Sequence, residues 1–180
     1  FQLQPHTLNN ILAHLKLTAN KLNKGLASLS ETLEYILYKG SSHLVTVDEE
    51  MKFIQEYIRL NELFISELDA IKEDYSQVNK YSKHFSTPCI PHLITAYFIE
   101  NAFKHGSINE KESLKISLKL TDKEFELTVI NKMKQKPTTA KGGLGLNNMK
   151  KRLELLVANK YDIKNNITEN EFHSTLIIQF

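Results

Sequence analysis

The segment over residues 100–106 reads Glu-Asn-Ala-Phe-Lys-His-Gly and gathers a carboxylate, an amide and two basic side chains. Helical spacing places Glu100 beside Lys104 and Asn101 beside His105, with residue 106 as the glycine that stops the helix. Because an amide oxygen is a neutral hard ligand that suits Mg²⁺, Asn101 is a candidate metal ligand, and Lys104 and His105 are candidate phosphate contacts. The alternative is an ordinary helix end, whose carbonyl dipoles already favour cations.

A second segment, residues 141–148, reads Lys-Gly-Gly-Leu-Gly-Leu-Asn-Asn and opens a predicted helix. Glycines let the backbone approach a ligand closely, and unpaired N–H groups at a helix start attract anions. Seven positive charges lie between residues 132 and 152 with no acidic residue among them, which suits a triphosphate better than a neutral ligand. The alternative is a solvated charged loop with a glycine hinge. The low apolar content of residues 132–142 predicts a mobile lid.

A third candidate is the dipeptide Pro5-His6 near the start of the chain. The heptad pattern places His6 just off the apolar seam, so we expect it to be accessible to solvent. An imidazole near its reference pKa of about 6.5 is roughly three-quarters neutral at pH 7, and the neutral form is nucleophilic. The alternative is a surface histidine without a role, for which His14 on the same helix is an equally exposed control.

Two predicted helices precede the remaining elements and must position His6. Apolar residues recur in alternating steps of four and three from Leu8 to Ile36, which is a heptad seam. Thr46 with Glu49 three residues later predicts the capping box of a second helix, which also has an apolar face. Because two helices cannot close a core alone, we expect a dimer in which two antiparallel hairpins form a four-helix bundle.

After residue 65 the apolar period changes from that of a helix to that of strands. The pattern predicts helices at about 91–105 and 146–159 and strands at 68–75, 113–120, 124–130, 161–166 and 172–180. We therefore expect an α+β fold in two units: a helical hairpin over residues 1–65, and an α/β sandwich over residues 66–180.

The composition excludes several classes of protein. With 41% hydrophobic and 24% charged residues the chain is globular, and no apolar run is long enough to span a membrane. The balance of 23 basic and 21 acidic residues argues against a surface devoted to nucleic acid. A single cysteine, Cys89, rules out a disulfide framework and favours a reducing, cytoplasmic compartment. Because the chain opens at Phe1 inside an amphipathic stretch, we expect it to be part of a longer protein.

Together the three motifs resemble the LytS/YehU-type sensor histidine kinases. That family has a Pro-His helix, then a Glu-Asn-Ala-x-Lys-His-Gly box, then Gly-x-Gly-Leu-x-Asn before a helix, in this order. The matching segments are residues 4–6 with Leu8 and Asn10, residues 99–106 and residues 143–156.

The resemblance implies a dimerisation and histidine-phosphotransfer hairpin followed by an ATP-binding sandwich of the GHKL or Bergerat type, shared with gyrase and Hsp90. His6 would be the phosphoacceptor, and Asn101 the Mg²⁺ ligand. The implied nucleotide contacts are Asn101, Lys104, His105, Asn131, Gly143, Gly145, Leu146 and Asn147. The implied reaction, in a homodimer, passes the γ-phosphoryl of ATP to His6 and then to an aspartate of a response regulator. The resemblance also implies the cytoplasmic part of a membrane-anchored sensor, anchored only through a missing upstream segment.

Three positions depart from the family pattern. Thr7-Leu8-Asn9-Asn10 stands where Phe-Leu-Phe-Asn is usual, and Asn131 stands where an aspartate normally accepts the adenine amino group. The amide of Asn131 still accepts one hydrogen bond, but loss of the charge costs on the order of 1 kcal/mol or more. We therefore expect weakened nucleotide binding. A second hypothesis is a degenerate, dimeric signalling scaffold that binds nucleotide weakly or not at all.

Overall fold

The structure is a computed structural model that describes residues 5–38, 43–134 and 144–180. Its helices are α1 (Pro5–Tyr38), α2 (Val47–Glu62), α3 (Lys83–Ser86), α4 (Ala96–His105) and α5 (Leu144–Val157). Its strands are β1 (Leu44–Val45), β2 (Ile71–Val78), β3 (Ile90–Pro91), β4 (Leu114–Leu120), β5 (Glu124–Lys132), β6 (Tyr161–Ile167) and β7 (Glu171–Gln179). Over these residues, none of the helices has the length and apolar character that a membrane crossing requires.

Five strands form one mixed sheet in the order β2-β4-β5-β7-β6. Strand β2 pairs parallel with β4, whereas the pairs from β4 to β6 are antiparallel. Burial alternates strictly along β4 and β5, so one face of the sheet packs against helices and the other is half-exposed. Each predicted strand is present with its ends displaced by three residues at most. The α+β prediction is thereby confirmed.

Helix α1 packs on α2 through small and polar residues rather than through its leucines. Gly25 is so close to Leu63 that an added Cβ would lie 2.3 Å from a leucine methyl, and the hydroxyl of Ser28 donates to Glu56 at 2.8 Å. Thr32 continues this stripe and is also buried. The predicted heptad seam faces away, with exposures of 45–62% at Leu15, Leu22, Leu26 and Leu33.

Helix α2 begins with the predicted capping box, in which the Thr46 hydroxyl accepts from the Glu49 N–H at 3.1 Å and the Glu49 carboxylate accepts from the Thr46 N–H at 3.0 Å. Its apolar face, however, joins the same buried cluster as the sheet, through Val47, Met51, Phe53, Ile54 and Ile58. The predicted hairpin is therefore supported only in part: α1 and α2 run antiparallel and touch, but α2 also closes the sheet's core. The boundary between residues 65 and 66 stays a prediction.

Helices α4 and α5 cover the buried face of the sheet. Phe98, Ile99 and Ala102 of α4 are buried against it, as are Met149 and Leu153 of α5. These helices carry the motifs of residues 100–106 and 141–148. Their packing on the sheet therefore determines the positions of both motifs.

Candidate functional site

Helix α4 carries the first motif, but it begins at Ala96 rather than near residue 91. Ile90 and Pro91 are held as β3 against β1, which ties this segment to the start of α2. Leu93 then adopts a φ of 57°, in the left-handed region, which no helix continues through. The prediction of a helix from residue 91 is therefore wrong at its start, because long-range pairing overrides the local apolar spacing.

The polar side chains of α4 lie at different depths. Asn101 is half-buried, whereas Glu100, Lys104 and His105 are exposed. Asn101 thus lies at the margin between core and solvent, as a ligand for a partly hydrated cation requires. Lys104 and His105 occupy the exposed last turn, where both can meet an anion in solution.

Gly106 ends α4, but the reason differs from the one predicted. Its φ is −77°, so no left-handed conformation requires a glycine there. Crowding does: an added Cβ would lie 2.4 Å from the carbonyl oxygen of Ala102 and 3.0 Å from Nδ2 of Asn131. Gly106 also forms an isolated antiparallel bridge with Met133. The end of α4 is therefore fastened to the end of β5.

Asn131, the predicted adenine acceptor, lies on the helix-covered face of β5 and is only 4% exposed. Its Nδ2 donates to the carbonyl oxygen of Lys132 at 3.1 Å. The Asn131 amide therefore lies beside the C-terminal end of α4. Its Nδ2 group is already used in a hydrogen bond within the fold.

The start of α5 brings the glycine-rich motif to α4. A Cβ added at Gly145 would lie 3.2 Å from Cε2 of Tyr97. Tyr97 and Asn101 are four residues apart on one helix, so their Cβ atoms are about 5–6 Å apart on the same face. Leu146 is half-buried and Asn147 exposed at this junction. Gly143 and most of the predicted lid lie outside the described residues.

Part of the predicted basic cluster makes contacts within the fold while staying at least partly exposed to solvent. The ammonium of Lys132 pairs with Glu110, and that of Lys134 donates to the carbonyl oxygen of Lys104 at 2.8 Å, at the end of α4. Lys150 and Lys151 are exposed on α5. The interpretation of the whole cluster as a phosphate cradle is thus too broad, because two of its members fix local structure.

His6 lies in the first turns of α1, and its side chain is outside the described residues. The control residue His14 is exposed, as expected. The exposure of His14 is shared by the whole first half of α1, since every described side chain from residue 9 to residue 24 is exposed.

A buried carboxylate escaped the sequence reasoning. Glu50 of α2 is 0% exposed and accepts hydrogen bonds from Tyr35, Leu93 and Thr95. Desolvation raises the pKa of Glu50 above its ordinary value of 4.5, although these hydrogen bonds oppose the shift. A signal was present: residue 50 lies three positions after Val47 and four before Ile54, on the apolar face of α2.

The site has the donor set for Mg²⁺ but not for a metal that needs several protein ligands. Over the described ranges, no group of three or more His, Cys, Asp or Glu residues could hold a metal ion. Mg²⁺ instead keeps several waters and takes few protein ligands, so one half-buried amide at Asn101 fits it. A cavity of about 700 Å³ between α1 and α2 is a poor alternative, because Glu56 in its wall is already paired with Arg59 and Ser28.

Comparisons with known proteins show what the chain is similar to. Residues 1–68 match the family model described as Histidine kinase. The histidine kinase domain of a blue-light activated histidine kinase from Erythrobacter litoralis EL346 is similar, with 14% identity and a TM-score of 0.50 over 88% of this chain and 74% of that one. The catalytic domain of histidine kinase ThkA has 15% identity and a TM-score of 0.50 over 75% of this chain and 93% of that one. No curated protein sequence matches the chain.

At such identities the two solved structures establish a shared fold. The family match covers residues 1–68, fewer than half of the 180 residues of the chain. The LytS/YehU type stays a prediction. The broader expectation of a histidine kinase is supported by this match and by the shared fold.

Proposed function

We propose that the chain is the kinase core of a two-component sensor, which transfers the γ-phosphoryl of ATP to His6 and then to an aspartate of a response regulator. One observation carries the proposal: Gly145 lies against Tyr97, one turn from Asn101, while Asn131 lies at the far end of the same helix. Helix α4 thus carries the Asn101 motif, with the glycine-rich motif near its start and Asn131 near its end. A single nucleotide lying along α4 would contact all three.

Different residues around α4 would contact the metal, the phosphates and the adenine of that nucleotide. Asn101 would hold Mg²⁺ through its amide oxygen, and Mg²⁺ when bound neutralises phosphate charge. The free N–H groups at the start of α5, with Gly143, Leu146 and Asn147 around them, would face the phosphates. Lys104 would add positive charge from the last turn of α4, His105 would offer a ring nitrogen there as a phosphate contact, and Asn131 would accept one hydrogen bond from the adenine.

The transfer step needs only a positioned nucleophile. A neutral imidazole nitrogen of His6 attacks the γ-phosphorus, an N–P bond forms, the bond to the β,γ-bridging oxygen breaks, and ADP leaves. Positioning and charge neutralisation supply the rest of the catalysis.

A homodimer is part of the same proposal. The exposed leucine seam on α1 is a continuous apolar surface of a kind that monomers seldom leave open. A second copy of α1 and α2 would cover it in a four-helix bundle, with His6 on the same helix. The proposal of a response regulator as the receiver rests on the similarity to histidine kinases. The proposal of a cytoplasmic position, with an upstream membrane anchor, rests on that similarity and on the single cysteine.

A second candidate is a dimeric scaffold with weak or absent nucleotide binding. Two observations favour it: Asn131 is neutral and uses its Nδ2 within the fold, and Lys132 and Lys134 are engaged with Glu110 and α4. Calorimetric titration with ATP and Mg²⁺ separates the candidates. Absence of binding at millimolar ATP would favour the scaffold.

The direct test of phosphotransfer uses ATP labelled at the γ-phosphorus. Wild-type protein should acquire an acid-labile label, His6→Ala should acquire none, and His14→Ala should keep it. Label that survives His6→Ala would overturn the assignment of the phosphoacceptor. Asn101→Ala should abolish labelling while the fold, monitored by circular dichroism, persists.

A further inference from the structure

We infer that Glu50 is a positioning residue for the Asn101 helix, and that Tyr35 makes this positioning depend on α1. The inference rests on the proposed function, since its consequence is measured as nucleotide binding. Three elements meet at one carboxylate: α1 through Tyr35, α2 through Glu50 itself, and the segment that leads into α4 through Leu93 and Thr95.

The start of α4 is held by Glu50 rather than by a cap of its own. Thr95 occupies the N-cap position but makes no side-chain capping hydrogen bond. Its hydroxyl donates to Oε1 of Glu50 at 2.7 Å, and its N–H donates to the same oxygen at 3.0 Å. The N–H of Leu93 donates to Oε2 at 3.0 Å. The carboxylate thus fixes both ends of the three-residue entry into the helix.

Leu93 makes that entry conformationally demanding. A leucine at a φ of 57° is strained relative to a right-handed conformation, because its Cβ crowds the following carbonyl oxygen. The hydrogen bond to Glu50 stabilises this conformation, and full burial of the carboxylate keeps water from replacing it. Loss of the bond would let residues 93–95 relax and would move the start of α4.

Tyr35 connects the end of α1 to the same point. Its hydroxyl donates to Oε2 of Glu50, and its ring stacks on Phe53 with centroids 5.1 Å apart. The ring of His92 lies 4.7 Å from that of Tyr35, and Nε2 of His92 lies 3.1 Å from the Tyr35 carbonyl oxygen. A displacement of the last turn of α1 must therefore change the contacts of residues 92–95.

The path from this point to the proposed metal ligand is short. Helix α4 has ten residues, and Asn101 lies less than two turns after Thr95. Because so short a helix moves as a rigid unit, a displacement of its first residues also displaces Asn101. We therefore expect the affinity for ATP to fall when Mg²⁺ is present and to change little when it is absent.

The test uses the full chain and the variant Tyr35→Phe, which removes one hydroxyl and keeps the ring contacts. Tyr75→Phe is the matched control, because the Tyr75 hydroxyl donates to Glu73 on the same strand, β2. The dissociation constant for ATP is measured with Mg²⁺ and with a chelator. With Mg²⁺, Tyr35→Phe should bind about fivefold more weakly, and without Mg²⁺ the change should stay below about twofold. Tyr75→Phe should match wild type in both conditions.

Thr95 offers a check by conservative replacement. Thr95→Val should reproduce the effect of Tyr35→Phe, whereas Thr95→Ser keeps the hydroxyl and should bind like wild type. Equal losses with and without Mg²⁺, or equal losses in Thr95→Ser and Thr95→Val, would overturn the inference, since general destabilisation would then explain them.

A measurement without nucleotide separates this inference from the proposed function. Amide hydrogen exchange of the free protein should become faster over residues 96–106 in Tyr35→Phe and stay unchanged over β5. Unchanged exchange in α4 would contradict the role of Glu50 and Tyr35. If wild-type protein binds no ATP but Tyr35→Phe shows the faster exchange over residues 96–106, the kinase proposal is refuted and the role of Glu50 and Tyr35 stands.

Discussion

Gly106 lies directly against Asn131, so that a Cβ added to the glycine would come within 3.2 Å of the Cβ of Asn131. The same Cβ would lie 2.4 Å from the carbonyl oxygen of Ala102, which is backbone and cannot move alone. We expect Gly106→Ala to lower the free energy of unfolding by about 1–3 kcal/mol, because the end of α4 must shift away from β5. Urea denaturation measures this loss.

Gly25→Ala is the control for that variant. The three atoms nearest to its added Cβ all belong to the Leu63 side chain, the nearest being a methyl carbon at 2.3 Å, and this side chain can rotate away. Alanine also gains about 1 kcal/mol over glycine inside a helix. The free energy of unfolding should therefore change little or rise. Equal losses of unfolding free energy in Gly25→Ala and Gly106→Ala would contradict a crowding effect specific to the end of α4.

The buried carboxylate of Glu50 predicts a pH dependence of stability. Burial raises the pKa of Glu50 in the folded protein above 4.5, so folding favours the protonated form. The stabilisation that Glu50 contributes relative to Glu50→Gln is complete at low pH and falls as the pH rises from 4.5 through the raised pKa. Tyr35, the hydrogen-bond partner of Glu50, is also influenced electrostatically by Glu49 on α2 and Arg152 on α5.

Chemical denaturation of wild type and Glu50→Gln across about pH 4 to pH 8 checks this direction. The difference between their free energies of unfolding should shrink or change sign toward high pH. A constant difference across the range, or one that grows in favour of wild type, would contradict a raised pKa.

The exposed seam of α1 predicts how the chain associates. Leu22 and Leu26 are 60% and 56% exposed on the seam, whereas Leu17 is 67% exposed on another side of the helix. Leu22→Glu and Leu26→Glu should each raise the dimer dissociation constant at least about tenfold, because a charge enters a desolvated seam. Sedimentation velocity measures this. Leu17→Glu should remain dimeric, and an equal effect at Leu17 would place the interface elsewhere.

Cys89 should be a slow nucleophile despite being half-exposed. Burial raises its thiol pKa to about 11 from 9.0, which lowers the thiolate fraction about a hundredfold at neutral pH. Alkylation by iodoacetamide at about pH 8 should therefore be far slower in the folded protein than in urea. Mass spectrometry gives both rates, and similar rates would mean that the thiol is not shielded.

Features set by neighbouring residues were predictable from the sequence. The capping box of Thr46 and Glu49 is made by residues three apart, and it forms as predicted. The start of α4 was not predictable in this way, because it depends on β3 pairing with β1 and on hydrogen bonds from Leu93 to Glu50. These partners are more than 40 residues apart in sequence, and no local spacing reveals them.

The packing face of α1 was equally hidden. Its leucines have a strong periodicity, which predicts where apolar surface lies but not which neighbour covers it. The contact with α2 uses Gly25, Ser28 and Thr32, whose hydropathy gives no signal. That the glycine-rich segment near residue 145 would meet Asn101 at one nucleotide was expected from the resemblance rather than from the residues alone, since spacing along the chain cannot show which helices lie side by side on a sheet.

The open side of α1 also has a consequence for regulation. From residue 9 to residue 24 every described side chain is exposed, which leaves about four turns of this helix without a buried face. Under the proposed function, His6 lies at the end of this exposed segment. Phosphate acceptance would then depend on protein concentration: dilution below the dimer dissociation constant would separate the two subunits, let the segment fray and stop phosphorylation of His6 while ATP still binds.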